Sequence, residues 1–517
     1  MSPGARLLWP ALGPLLILLA WELATLNADQ AFVVASPSAI LRFLIENAGL
    51  MGRALAATLQ NALAGFLIGN LAALLLAGLA ITLPRSEALV RGLALLVFCL
   101  PLVATGPILR VIFGPGPWPE ITLAALAVYY TTLIPVLVGL RAVPATWLDV
   151  VQSYGRGRIS ALFHVRAPAC LPYLVAGLQI AAPAAILGAM VGEFTGAERG
   201  LGVLTIRSMR AFDIEMTWAL ATLATAVAVG SFLIIGWLAR MLLSESPPTI
   251  LATPPQAPSR SLRAILTPVA VGVTALVLWW GGLKLLGLNA FFAKGPAEIL
   301  DALLIAPDAA TTRDTLARAM GETLVFVVPG YCAGLAAGAL LAMVIVQIPA
   351  LASTVMPVAI ALRSVPIITT APLVILLLGR GALGTVVLVA IMVFFPTLLA
   401  CLHGLRQAPG QAIDVMRSYA ASRWDIMMRV RLPATLPAFF AAARINVPAS
   451  FLAVTVVEWL ATGNGIGSLM ALSSSLSDYD MLWSAVVLVA LASVIGYGLV
   501  GAVERRVLLI YAPEQLK

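Results

Sequence analysis

The polar residues with the clearest spacing lie in two short segments that repeat each other. Residues 149–154 read Asp-Val-Val-Gln-Ser-Tyr, and residues 414–419 read Asp-Val-Met-Arg-Ser-Tyr, 265 positions later. Each segment continues through small residues and an arginine to a run of the form Arg-x-Pro-x-x-x-Pro. The prolines end one short helix and begin the next, and a tyrosine beside small residues can anchor in the pocket of a partner protein. The spacing therefore predicts a docking surface, present twice.

The offset of 265 extends through most of the chain, which indicates a duplication. Apolar segments can resemble one another because their compositions are alike. Charges, threonines and prolines that match at a fixed offset are not explained by composition. Near the amino end the offset falls to 259, which predicts a six-residue insertion in the second half around residues 306–315. Matched pairs include Thr58 with Thr323, Pro101 with Pro366, Arg158 with Arg423, Glu193 with Glu458, and Arg240 with Arg505.

The composition places most of the chain in lipid. Of the 517 residues, 61% are hydrophobic and 10% are charged, whereas soluble domains carry about 25% charged residues. Apolar runs of about 20 residues cross a bilayer as helices. We therefore predict an all-α polytopic membrane protein with about 12 transmembrane helices, arranged as two homologous six-helix halves in parallel repeat. The predicted spans are 7–26, 58–83, 88–113, 121–140, 171–192 and 217–240, then 265–286, 323–348, 350–378, 383–402, 436–459 and 481–503.

The predicted halves are residues 1–243 and 263–517, joined by a Pro- and Ser-rich linker at 244–262. Arginine is concentrated on one side of the predicted spans, which indicates that both termini and both repeated segments are cytoplasmic. The net charge of +8 reflects this bias, so we expect membrane lipid and no nucleic acid as a partner. The expected location is the bacterial inner membrane, with the chain crossing it many times.

The repeated segments resemble the cytoplasmic EAA loop of binding-protein-dependent ABC importer permeases. Residues 362–373, 193–202 and 458–467 resemble further segments of the nitrate, sulfonate and taurine branch of that family. The resemblance implies a type I importer fold, in which each loop forms a helix that docks on an ATPase subunit. Two departures stand out: aspartate replaces the leading glutamate, and Ala420 replaces the glycine kept as Gly155. The implied coupling residues are Asp149, Ser153, Tyr154, Gly155 and Arg158, then Asp414, Ser418, Tyr419, Ala420 and Arg423.

The chain itself carries no phosphate-binding loop of the form G-x-x-x-x-G-K-[ST]. Its lysines stand at 284, 294 and 517, and none of them follows a glycine. We therefore predict that it is not an enzyme and has no cofactor, catalytic residue or metal of its own. The resemblance implies two ABC ATPase subunits, which bind ATP and Mg²⁺, and an extracytoplasmic substrate-binding protein.

Polar residues within predicted spans are the candidates for a substrate path, because such residues are costly in lipid. Each has a structural alternative: the threonines can satisfy carbonyls in a proline-kinked helix, and the amides can hold helices together. Arg444 can attract an anionic solute, or it can pair with a carboxylate or helix carbonyls. The candidates are Gln60, Asn61, Thr105, Gln179, Thr369, Thr370, Arg444 and Asn446.

Two other functions remain open from sequence. An ion-coupled secondary transporter with two six-helix repeats would place paired carboxylates at mid-span, but few lie there in this chain. A non-transporting membrane scaffold is the third alternative. By resemblance, the solute of an importer would be a small anion such as nitrate, a sulfonate, taurine or bicarbonate, or else a vitamin precursor.

Overall fold

The apolar runs fold into long helices in a computed structural model that describes residues 18–25, 34–242, 262–351, 355, 367–379 and 381–511. All secondary structure in these ranges is helical or turn, which confirms the predicted all-α class. The predicted linker and most of the first predicted span lie outside the described residues. So does much of the span predicted at 350–378.

The first half begins with a helical stretch at 18–25 and continues through ten helices. A π-helical turn, Leu162–Arg166, joins the seventh and eighth of them without a break. The helices are α1 (Pro37–Glu46), α2 (Ala48–Thr82), α3 (Glu87–Phe98), α4 (Leu102–Phe113), α5 (Trp118–Arg141), α6 (Ala145–Ser153), α7 (Arg158–Ala161), α8 (Ala167–Phe194), α9 (Leu201–Ala211) and α10 (Ile214–Leu242).

The second half repeats this order. π-helical turns at Asp301–Ile305, Met427–Arg431 and Glu458–Thr462 extend three of its helices, and a 3₁₀ turn covers Pro349–Leu351. The helices are α11 (Leu262–Leu285), α12 (Pro296–Leu300), α13 (Ala309–Gln347), α14 (Ile367–Leu378), α15 (Ala382–Arg406), α16 (Gly410–Ser418), α17 (Arg423–Ile426), α18 (Leu432–Val457), α19 (Gly465–Ser475) and α20 (Tyr479–Tyr511).

Within the described residues, nine helices are long and apolar enough to cross a membrane, and the α3–α4 pair makes a tenth if it is one broken span. The span predicted at 88–113 is broken into two helices, because α3 and α4 are bent by 95°. Pro101, which has no backbone N–H, stands at the break as the N-cap of α4. Several helices also outrun the predicted spans: α2 begins at Ala48 and α13 at Ala309. Hydropathy marks the apolar part of a helix and not its polar ends.

The structure locates the six-residue insertion. In the first half, Asn47 alone separates α1 from α2. In the second half, residues 306–312 fill the same interval, since Ile305 corresponds to Glu46 and Arg313 to Ala48. The insertion forms a short turn and adds the first residues of α13. The extra length therefore stays at one end of the helices and leaves the two halves in register.

Small residues let the long helices approach closely. α5 packs between α2 and α8, and α15 packs between α13 and α18. A Cβ atom on Gly69 of α2 would lie 2.6 Å from the carbonyl oxygen of Ala125, and one on Gly334 of α13 would lie 2.6 Å from that of Ala390. These contacts are equivalent at the offset of 265. Glycine at such positions is typical of membrane helices that pack backbone against backbone.

Helices of the two halves pack against each other at several places. α11 of the second half packs on α3 of the first, where a methyl group on Gly92 would clash with Val271. α10 of the first half packs on α14 of the second. α4 contacts both α18 and α19. Helices from both halves therefore surround a common centre.

Candidate coupling surfaces and central cavity

The two repeated segments form equivalent surface helices, α6 and α16. Neither helix has a buried residue, and each ends at a tyrosine C-cap. Tyr154 and Tyr419 are 80% and 82% exposed. Ser153 and Ser418 donate to the carbonyl oxygens of the residues three positions earlier, at 2.8 and 2.7 Å. An aromatic side chain that exposes most of its area to water is available for a partner's pocket.

Apolar side chains extend each of these surfaces beyond the tyrosine. Val150 and Trp147 are exposed on α6, and Val415 is exposed on α16. Trp424 continues the second surface, 59% exposed, where the first has the exposed Ile159. Asp149 and Asp414 also face solvent, and Asp414 lies 3.5 Å from Arg417. We call these two patches coupling surface 1 and coupling surface 2.

The turn after each surface helix is left-handed, which explains the glycine of the repeat. Gly155 has φ = +69°, and Ala420 at the equivalent position has φ = +52°. A left-handed residue with a Cβ atom is disfavoured by about 1–2 kcal/mol. The next helix also begins differently: Ser422 caps α17 by accepting from the Asp425 backbone N–H at 3.1 Å, while Gly157 caps α7 without a side chain. The two surfaces are therefore not identical in stability.

We expect Ala420→Gly to stabilise the turn at coupling surface 2 and Gly155→Ala to destabilise its twin, each by about 1 kcal/mol, because only glycine adopts positive φ freely. Hydrogen exchange of the backbone amides in each surface helix measures both effects, slower in the first variant and faster in the second. Gly52→Ala is the matched control, since nothing lies within 4 Å of its added Cβ. Equal exchange at the two turns in all variants would contradict the assignment of strain to Ala420.

The helix that follows each surface helix continues without a break into a membrane helix. The Ala167 N–H donates to Leu162 O, and the Leu432 N–H donates to Met427 O, five residues back in both cases. These π turns immediately precede Pro168 and Pro433, which cannot donate the regular hydrogen bond. The helical path therefore runs unbroken from Arg158 to Phe194 and from Arg423 to Leu460. A displacement of either surface would move the membrane helix that follows it.

At the far end of the same helices, two buried glutamates hold the next segment in place. Glu193 accepts from Thr58 Oγ1 at 2.7 Å and from the Gly202 N–H at 2.7 Å. Thr58 in turn accepts from the Leu201 N–H at 2.9 Å. A Cβ atom on Gly202 would lie 2.6 Å from the carbonyl oxygen of Met190, so glycine is required for this approach. The network ties α2, α8 and the start of α9 together.

The second half contains the same network. Thr323 donates to Glu458 at 2.9 Å, the Gly467 N–H donates to Glu458 at 2.9 Å, and the Ile466 N–H donates to Thr323 at 2.9 Å. Glu322 adds a contact without a counterpart in the first half, by accepting from the Gly465 N–H at 2.8 Å. Both glutamates are 1% exposed, so their carboxylates serve this structural network.

A central cavity of about 320 Å³ lies where the two halves meet. Residues of both halves line it, and many lining residues of one half match lining residues of the other at the offset of 265. The described lining contains two polar side chains, Thr131 and Thr370, and no charged one. The equivalent pairs are Leu126 with Ile391, Ala127 with Met392, Thr131 with Pro396, Ala184 with Ala449, and Leu187 with Leu452.

Of the path residues predicted from sequence, Thr370 lines this cavity. Thr105 is buried beside the α3–α4 break and donates to Pro101 O at 2.8 Å. Asn446 donates to Thr397 Oγ1 at 3.0 Å and so holds α18 against α15. The other three amide residues predicted for the path also lie away from the described lining. Gln179 packs against Gly236 of α10, and Gln60 and Asn61 lie on α2. The side chain of Thr369 lies outside the described part of the chain.

Arg444 pairs with a carboxylate. Its Nε lies 3.1 Å from Oε2 of Glu504 on α20, close enough for an ion pair although the N–H is not aligned for a hydrogen bond. The guanidinium also lies over the ring of Tyr497, 5.6 Å from its centroid. In the first half, Gln179 and Ala239 occupy the positions equivalent to Arg444 and Glu504. Of the alternatives open for Arg444, the structure places it in a contact between helices.

Sequence reasoning missed most of the cavity lining because it searched for polar residues in the spans. The lining residues Phe98, Met392 and Phe395 carry no polar signal. The repeat itself contains a signal, since apolar positions on α5 and α15 that match at the offset of 265 line the same cavity. Among the described residues, no three His, Cys, Asp or Glu side chains gather as metal ligands.

A duplicated helical bundle with a central cavity and two exposed surface helices defines, as a class, a membrane permease. Comparison with known families then identifies the family of permeases to which the chain belongs. The chain belongs to the family described as binding-protein-dependent transport system inner membrane component, whose model matches residues 65–244 and 334–509. It is therefore a multi-pass inner membrane component of an ABC transporter rather than an enzyme.

Three of the relatives match about half of this chain over nearly their own full length. A probable ABC transporter permease of Haemophilus influenzae is 30% identical over 45% of this chain and 96% of its own length. The riboflavin transport permease RibX of Chloroflexus aurantiacus is 33% identical over 47% of this chain and 95% of its own length. The formylaminopyrimidine transport permease ThiX of Halalkalibacterium halodurans is 27% identical over 47% of this chain and 98% of its own length. This chain is thus about two such permeases long.

Proposed function

We propose that this chain forms the complete translocation path of an ATP-driven importer. The central cavity carries the proposal, because equivalent residues of two homologous halves line it together. In this arrangement the cavity opens alternately to either side of the membrane as the two halves rock about it. Coupling surfaces 1 and 2 receive the motion, since each is continuous with a membrane helix.

The energy for this motion comes from partner subunits in the proposal. Two ABC ATPase subunits, which bind ATP and Mg²⁺, dock on coupling surfaces 1 and 2, one on each. An extracytoplasmic binding protein delivers the solute at the opposite end of the bundle. Both termini lie on the ATPase side. The linker predicted at 244–262 keeps the unequal halves paired by raising their effective concentration.

The cavity lining favours a solute with apolar surface and little charge. An anion would meet Thr131 and Thr370 as the polar side chains of the described lining, while Arg444 is paired with Glu504. Phe98, Phe395 and Met392 offer flat or adaptable apolar contacts instead. Of the solutes expected from the resemblance, a vitamin precursor with an aromatic ring therefore fits better than nitrate, a sulfonate, taurine or bicarbonate. The relatives named for riboflavin and formylaminopyrimidine support the same choice.

Reconstitution tests the proposal. The chain is placed in proteoliposomes with its ATPase subunit and binding protein, and uptake of labelled riboflavin and formylaminopyrimidine is compared with uptake of taurine and nitrate. We expect uptake that requires ATP on the side of the coupling surfaces and withstands a protonophore. Uptake without the ATPase that collapses with the proton gradient would instead establish the secondary transporter. ATP-dependent uptake of nitrate or taurine alone would contradict the solute class while leaving the importer intact.

A further inference from the structure

A second pocket, of about 550 Å³, lies beside coupling surface 1 and contains an excess of positive charge. Its walls come from the ends of α2 and α5, from α6, and from the turn that leads into α7. Four arginines line it, Arg141, Arg156, Arg158 and Arg166, and Glu87 is the one carboxylate among the described lining residues. We call this space the basic pocket.

The carboxylate in the basic pocket is already engaged. Glu87 forms ion pairs with Arg141 and with Arg91, the latter at 3.3 Å. No carboxylate of the described residues lies within ion-pair distance of Arg156, Arg158 or Arg166. The Nε atom of Arg166 is buried and has no hydrogen-bond partner among the described residues, and the same holds for the equivalent Arg431 of the second half. What favours an anionic ligand in the basic pocket is therefore the open space lined by three arginines without a carboxylate partner.

The basic pocket lies where three candidate membrane spans begin or end. The candidate spans of α2 and α5 end at Thr82 and Arg141, and the next span begins at Arg158. Leu75 and Leu79 on α2 and Leu83 at its C-cap are exposed at four-residue intervals, next in sequence to the pocket residues Ala80 and Pro84. An apolar stripe that ends at clustered arginines fits a molecule with acyl chains and an anionic head.

Larger side chains stand at several equivalent positions in the described part of the second half. Ile345 and Ile426 replace Ala80 and Ala161 of the basic pocket, and both isoleucines are buried. Met427, which is fully buried, replaces the partly exposed Leu162. Ala421 replaces Arg156. Among the described residues these replacements reduce the space equivalent to the basic pocket, and the repeat supplies the substitutions that would remove it.

We propose that the basic pocket binds the headgroup phosphate of an anionic phospholipid, with its acyl chains along the leucine stripe of α2. The lipid ties coupling surface 1 to the bilayer and compensates the charge of Arg156, Arg158 and Arg166. Coupling surface 2 has no such ligand. This site is separate from the central cavity and does not depend on which solute is carried.

Native mass spectrometry of the purified full chain, without ATPase, tests the proposal with dioleoylphosphatidylglycerol as the probe. We expect one retained molecule, and about fivefold weaker binding after Arg156→Ala, since one arginine contributes about 1 kcal/mol to an anionic lipid contact. Ala80→Ile/Ala161→Ile, which copies the second half, is expected to abolish retention. Arg417→Ala on coupling surface 2 is the matched control and should retain the lipid.

Three results would overturn the proposal. Equal retention of dioleoylphosphatidylcholine would show that charge plays no part. Displacement of the lipid by inorganic phosphate at equal concentration would assign the pocket to a soluble anion. Release of the lipid on adding the ATPase subunit would assign the arginines to the protein interface. Unchanged unfolding temperature and a monodisperse profile for each variant ensure that lost retention reports on the pocket.

Discussion

Replacing Tyr154 and Tyr419 together with alanine is expected to abolish ATP-driven uptake and to lower co-purification of the ATPase subunit more than tenfold. Both side chains are about four-fifths exposed at the C-caps of α6 and α16. Because they make little contact within the chain, their removal leaves the fold intact. Tyrosine anchors at interface centres typically contribute 2 kcal/mol or more, or roughly thirtyfold in affinity.

The single variants separate the two coupling surfaces. Each single variant retains one exposed tryptophan on its surface, Trp424 after Tyr419→Ala and Trp147 after Tyr154→Ala. We therefore expect each single variant to lose only part of the ATPase that the double variant loses. The measurement is the ATPase-to-permease ratio after affinity purification, followed by uptake in proteoliposomes.

Trp118→Ala is the matched control for the tyrosine variants. Trp118 is an exposed aromatic residue at the start of α5, whereas coupling surface 1 follows the end of that helix. This variant should keep the full ATPase ratio. Full co-purification and uptake in the double tyrosine variant would remove α6 and α16 from the coupling mechanism.

The coupling surfaces were predictable from sequence because polar residues repeated in register carry information that apolar residues do not. The match between residues 149–154 and 414–419 predicted two equivalent helices, and the structure contains them. It also predicted that the two turns differ at Gly155 and Ala420. In the structure both residues have a positive φ, and only Ala420 carries a Cβ atom there. The function of these surfaces stays a prediction that the tyrosine variants test.

The centre of the molecule was less predictable. Polarity within a span predicts the path, yet Thr105 donates to the Pro101 carbonyl at the start of its own helix, and Asn446 donates across to Thr397 of α15. A buried polar group must find a partner, and a neighbouring helix is a partner as often as a solute is. The 95° bend between α3 and α4 was also hidden, because a proline predicts a break in hydrogen bonding but not the angle that packing then imposes.

The repeat also predicts how the molecule responds when the ion pair at Arg444 is broken. Glu504→Ala is expected to destabilise the protein by about 3 kcal/mol, because it leaves a guanidinium without its carboxylate among packed helices. The side chains of Arg444 and Glu504 are 14% and 1% exposed. Chemical unfolding in detergent, or the midpoint of thermal unfolding, measures the loss.

The sequence of the first half shows which second substitution would compensate for the loss of the Arg444–Glu504 ion pair. Gln179 and Ala239 stand at the equivalent positions and fill the same helix contact without charge. Arg444→Gln/Glu504→Ala copies this arrangement and is expected to recover most of the lost stability, which gives a favourable coupling energy in a double-mutant cycle. A double variant as unstable as Glu504→Ala alone would show that Glu504 stabilises the fold through other contacts.

Uptake by the same double variant decides whether Arg444 also acts on the solute. If the ion pair serves only to hold α18 against α20, the folded double variant transports at the rate of the parent protein, because neither residue lines the described cavity. If Arg444 attracts an anionic solute, the double variant folds but its uptake falls, and the fall is greater for an anion than for a neutral compound. One pair of substitutions therefore separates the structural role from the transport role, since stability and uptake recover together only if the role is structural.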